Sequence, residues 1–164
     1  TVYWAAITLG SQDLDPATLL NYAFYGSGLI FPMALGFAAL FRNNFMKDKT
    51  ATGDVLIPTF ISMLLFWPML VAAIGVKSVD LVMVILAIGL SLHWPVIGWS
   101  YGRTALYTAH SVLRALAVVA VFFLFPEQRF FMIPLVVTIA YALTVVAIFL
   151  DSGRMAARQA VPAT

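Results

Sequence analysis

Long apolar runs separated by short polar stretches set the pattern of this chain. A helix needs about 20 mostly apolar residues to cross a bilayer. Residues 21–41, 55–76, 79–100 and 130–150 each meet that requirement. A fifth window, 102–125, is long enough but carries charge inside it. Residues 1–10 are apolar and aromatic but too short, and read as the end of a span that begins upstream. They lack the initiator Met, basic n-region and cleavage site of a signal peptide. The pattern predicts an all-α, polytopic transmembrane helix bundle of about six spans, the first truncated at its N-terminus.

Local punctuation sharpens the boundaries. Asp15-Pro16 places a capping acid before a proline at the first helical position. Ser78 and Asp80 can cap the fourth span, Pro126-Glu127 can open the sixth, and Ser152-Gly153 reads as a C-terminal stop. Only Ser100-Tyr101-Gly102 separates spans four and five, which must form an antiparallel hairpin.

Charge then orients the bundle. Arg42, Lys47, Lys49, Arg103, Arg154 and Arg158 all fall on one side of the predicted membrane. The other side holds Lys77 and Arg129, balanced by Asp13, Asp15, Asp80 and Glu127. The positive-inside rule makes both termini cytoplasmic, in a bacterial-type inner membrane. Residues 1–151 form a single transmembrane domain, and 152–164 a short basic cytoplasmic tail that should be disordered.

Composition closes off other classes. Of 164 residues, 63% are hydrophobic and 10% charged, with a mean hydropathy of +0.99. Soluble domains carry about 25% charged residues, so this chain could not clothe a water-facing surface. Disordered, fibrous and nucleic-acid-binding readings fall with it. With no cysteine there is no disulfide framework and no thiolate chemistry.

Candidate chemistry gathers on span five. Arg103, Tyr107, His110 and Arg114 stand at i, i+4, i+7 and i+11, within a sector of about 60° on a helix. Arg103 lies at the cytoplasmic boundary. Arg114 is roughly 16 Å further along the axis, near the bilayer middle, where an arginine costs at least about 2.5–3.5 kcal/mol. It should face the interior. No carboxylate lies inside any span, and Asp54 reaches Arg103 more readily than Arg114. Arg114 could clamp backbone carbonyls, hold a ligand, or meet another subunit.

His93 and His110 lie at similar depth on the two hairpin neighbours. Each could hydrogen-bond a neighbouring helix, the pair could share a proton, or they could be two axial ligands to a haem. No cofactor is required by the pattern, and two histidines do not make a zinc site. Pro32, Pro58, Pro68, Pro95 and Pro134 fall inside predicted spans, each freeing a backbone carbonyl. The break at His93-Trp94-Pro95 points to an internal polar cavity. Gly26 and Gly28 suit close helix approach, and Ser62, Ser91 and Ser111 lack nucleophile machinery.

The stretches Gly26-Ser-Gly-Leu-Ile-Phe-Pro-Met-Ala-Leu35 and His93-Trp-Pro-Val-Ile-Gly-Trp-Ser-Tyr-Gly-Arg103 resemble a family of small bacterial multi-span proteins known as a domain of unknown function. The resemblance covers most of residues 18–150. It implies a six-span protein and carries no activity or functional residue with it.

The leading functional reading is binding or transport of a small anionic or polar ligand in the cytoplasmic half of the bundle. Arg114 and Arg103 would contact the anion, His110 and His93 would be proton-linked or hydrogen-bonding groups, and Tyr107 and Trp94 would be walls. The alternatives are a structural subunit of a larger membrane complex and an enzyme acting on a lipid-like substrate. Expected partners are the lipid bilayer and a membrane protein or second copy, with no nucleic acid.

Overall fold

The computed structural model of the protein describes residues 1–40, 59, 61 and 66–159. Arg42, Lys47, Lys49, Asp54, Pro58 and Ser62 lie outside them, as do the side chains of Arg154 and Arg158. The described residues are helical, with no strand among them.

Helix α1 (Val2–Gly10) leads to α2 (Pro16–Ser27). Pro16 opens α2, and Asp15 Oδ1 accepts the amides of Ala17 and Thr18 at 3.1 Å each. The cap has a pH signature. Hydrogen bonds from Thr18, side chain first and then backbone, hold the Asp15 carboxyl below its ordinary value. A lowered folded pKa gives a contribution that is present above the ordinary carboxylate range and lost as pH falls through the lowered value. The Thr18 amide resonance should therefore hold its position until pH drops below the titration of a free aspartate. Asp15→Asn should keep the cap and flatten the titration; an Asp15 that titrates at the ordinary value contradicts this.

Window 21–41 is not one helix. The chain turns at Gly28 and Leu29 before α3 (Ile30–Leu40) begins. Pro32 supplies the reason, since it has no N–H for the carbonyl four residues back and its ring crowds that position. Of window 55–76, the first half lies outside the described residues, and α4 (Trp67–Gly75) forms the second. The chain leaves α4 through Lys77, a non-glycine residue at φ 56. There the Lys77 and Ser78 amides close back on Ile74 and Ala73.

The next helices form the middle of the molecule. Helix α5 (Val79–Gly89) and α6 (Trp94–Ser100) make one apolar rod interrupted by a turn at residues 90–93. Pro95 accounts for the interruption. The Ser91 carbonyl, which Pro95 cannot reach as a donor, accepts the Trp94 amide at 3.1 Å and the Ser111 hydroxyl at 3.1 Å. Gly102, at φ +66, then turns the chain, with the Gly102 and Arg103 amides closing on Trp99 and Gly98. Helix α7 (Thr104–Leu124) runs back along the rod, and a 3-10 turn (Pro126–Gln128) leads into α8 (Arg129–Gln159).

Two sequence expectations need correction here. Ser78 stands at the N-cap of α5 but makes no capping bond, and Asp80 instead pairs with Arg129 at 2.5 Å. Ser152-Gly153 does not stop the last helix, which continues to Gln159. The Arg-Met-Ala-Ala-Arg run that follows has strong helix formers, enough to carry one glycine in an established helix.

Three stretches among the described residues are long and apolar enough to cross a membrane: Val79–Ser100, Thr104–Leu124 and Pro126–Asp151. They pack on one another, with α1 against α8, and α2 and α4 against α5. Leu70, Met83, Leu86, Ala87, Val118, Ile133 and Val137 fill the interior, while Leu113, Leu116, Phe123, Leu124 and Leu143 are exposed on the outside. An outer surface of bare leucine and phenylalanine around a buried arginine is the reverse of a water-soluble protein. It fits a membrane protein, whose backbone bonds are satisfied within helices.

Candidate functional site

The polar stripe of α7 divides. Arg103, at the N-cap of the helix, makes an ion pair through Nε with Asp151 Oδ2 of α8 at 2.7 Å. That places it at one end of the three-helix core. The matching contact at the other end is the Arg129–Asp80 pair, where Arg129 also donates to the Phe122 carbonyl at 2.8 Å. Tyr107, His110 and Arg114 instead face α5, α6 and α8.

Tyr107 packs where α6 and α7 come closest. A Cβ added at Gly98 would lie 2.5 Å from Tyr107 Cβ. Glycine at this position lets the hairpin close, and it brings the Trp94 ring to 5.3 Å from Tyr107 and 4.9 Å from His110. Tyr141 of α8 completes the group, at 5.5 Å from Trp94 and 4.9 Å from His110. His93 stands at the N-cap position of α6 with its ring 6.2 Å from Trp94, and its buried Nδ1 has no hydrogen-bond partner among the described residues.

His110 is bonded to α8. Its Nδ1 lies 2.7 Å from Thr144 Oγ1, whose own O–H goes to the Ala140 carbonyl at 2.8 Å. A hydroxyl has one proton to give, so Nδ1 carries a hydrogen, and in the neutral ring Nε2 keeps the lone pair. That Nε2 is buried and unpartnered among the described residues.

Arg114 is the centre of the arrangement and is 0% exposed. Its Nη2 donates to the Ala87 carbonyl. This carbonyl is free because the rod breaks just beyond it, where the Ser91 amide bonds Ile88 instead. The Tyr141 ring centroid lies 5.0 Å from the guanidinium carbon. Arg114 Nε and Nη1, with one and two N–H bonds respectively, have no hydrogen-bond partner among the described residues. The ion pairs among those residues are Arg103–Asp151 and Arg129–Asp80, and neither brings a carboxylate to Arg114.

A cleft of about 270 Å³ between α7 and α8 is lined by Arg114, His110 and Thr144 together with apolar side chains that include Leu113, Ile139 and Leu143. The site therefore offers a buried cation with spare donors beside one imidazole acceptor. No group of three potential metal ligands occurs among the described residues. Of the six residues singled out by sequence, the structure gathers Arg114, His110, Tyr107 and Trp94, sets His93 next to Trp94, and holds Arg103 at the helix end. Sequence reading missed Tyr141 and Thr144. With Thr138 they are the polar residues of window 130–150, at steps of three, and that spacing was the available signal.

No curated protein and no solved structure matches the chain. A family model does match, over residues 1–151. The chain belongs to a family of unknown function, DUF7010.

Proposed function

We propose that this is a six-span inner-membrane protein, both termini cytoplasmic, that binds or carries a small anionic or polar ligand at Arg114. The observation that carries the reading is a fully buried guanidinium with Nε and Nη1 unpartnered among the described residues. Moving an ion out of water costs several kcal/mol even after relaxation, and the Ala87 carbonyl and the Tyr141 side chain repay only part of that. An oxyanion with several lone pairs supplies both the missing charge and the missing acceptors. His110 and Thr144 line the cleft beside it, with the Trp94, Tyr107 and Tyr141 rings grouped about the imidazole, and His110 Nε2 offers a hydrogen-bond acceptor to a ligand hydroxyl. Arg103, held by Asp151, sits at the mouth of the bundle.

The test is thermal unfolding of the purified protein in an uncharged maltoside detergent, titrated with formate, phosphate and an alkyl carboxylate. At least one anion should raise the Tm of the wild type, and none should do so in Arg114→Gln. Equal responses in the two proteins, or no response in either, would remove the anion-site reading and favour a structural role.

A further inference from the structure

We infer that the anion held at Arg114 is a single-chain amphiphilic carboxylate that enters sideways from the bilayer, between α7 and α8. The inference rests on reading Arg114 as an anion site and adds the class of ligand and its route. Three of the cleft's side chains reach the outer surface: Leu113 is 65% exposed, Ile139 47% and Leu143 66%. Arg114 and His110, which line the same cleft, are 0% and 5% exposed. The cleft thus has an apolar mouth on the outside of the bundle, and Arg114 lies buried behind its floor, where a ligand head reaches it only by parting the side chains that cover it.

Depth decides what can use it. Arg114 is the middle residue of α7, about 15 Å from either end of the helix. The outer surface at that level faces hydrocarbon, so the mouth opens to lipid chains and not to water. A hydrated inorganic ion has no favourable path through such an opening. A carboxylate on an alkyl chain has one, because the chain replaces lipid contacts along Leu113, Ile139 and Leu143 while the head meets Arg114. A cleft of about 270 Å³ lies near the lower end of ligand-site volumes. It accommodates a head and the first part of a chain, the remainder lying along the outer groove.

The full chain in uncharged maltoside is titrated with decanoate, acetate and decanol, and stability is followed by thermal unfolding. Decanoate should act at a concentration at least roughly tenfold below acetate, the equivalent of about two buried methylenes. Decanol should have no effect, and Arg114→Gln should abolish the decanoate response. Leu143→Trp, which narrows the mouth without touching the arginine, should weaken decanoate several-fold and spare acetate. If acetate matches decanoate and both need Arg114, the anion site stands and the amphiphile is wrong. If decanol matches decanoate, or Arg114→Gln responds like the wild type, the chain merely partitions onto the surface and the inference falls. Silence toward every anion overturns the inference and the anion site together. An Arg114-dependent complex with a second copy in native mass spectrometry, insensitive to decanoate, would assign the groove to a protein helix.

Discussion

Arg114→Met should abolish the anion response yet leave the unliganded protein within about 2 kcal/mol of the wild type. The opposing terms are set by the surroundings of the side chain. Removing the guanidinium relieves an insertion cost of at least about 2.5–3.5 kcal/mol at this depth. It also strips the Ala87 carbonyl of its donor, a loss of about 1–3 kcal/mol for a buried polar group. It also gives up the Tyr141 ring, 5.0 Å from the guanidinium carbon, a contact of about 0.5–2 kcal/mol. Gain and loss nearly cancel, with Nε and Nη1 returning nothing through hydrogen bonds among the described residues. Methionine nearly fills the vacated volume and adapts to irregular space. If Arg114 were a structural clamp, the same change would cost about 3–5 kcal/mol, as when one partner of a buried pair is removed. Reversible unfolding of the two proteins in mixed detergent micelles separates the outcomes by size.

Gly98→Ala should be the most damaging small substitution in the hairpin, at about 1–3 kcal/mol. The new methyl would stand 2.5 Å from Tyr107 Cβ, 2.8 Å from its Cγ and 3.0 Å from the Arg103 carbonyl. Two of these neighbours are held by backbone or the first side-chain carbon and cannot swing away. The helices must part, and the Trp94–Tyr107–His110 group parts with them, so tryptophan emission should shift with the unfolding midpoint. Gly75→Ala is the control, because its Cβ would meet nothing within 4 Å. It should change stability by no more than about 0.5 kcal/mol. Equal effects at the two glycines would contradict the close approach of α6 and α7.

Legibility in the sequence followed the range of the forces involved. Windows 79–100 and 102–125 coincide closely with the stretches Val79–Ser100 and Thr104–Leu124, because length and apolarity alone make a membrane helix. The inward face of Arg114 and its place at the middle of a long apolar helix were readable from helical periodicity, since a charge there has one tolerable direction. The Gly28-Leu29 break and the run of α8 past Gly153 were not. Both depend on whether a helix already formed outweighs one proline or one glycine, and propensity alone does not weigh that. The site's partners were hidden for a different reason. Thr144 and Tyr141 reach His110 from 34 and 31 residues away, and the Ala87 carbonyl became available only because Pro95 broke the rod. Arg103 shares the periodicity of Arg114, while its position at the helix end pairs it with Asp151.

The most direct test of the account is an experimental structure of the protein in a lipid nanodisc, at a resolution that shows the atoms around the Arg114 guanidinium. The account predicts a ligand oxygen, from outside the chain, about 2.7–3.1 Å from Nε or Nη1, in continuous density with a molecule in the α7–α8 cleft. Nε and Nη1 both bonded to carbonyls or side chains of the protein itself would contradict it, and would make Arg114 a clamp.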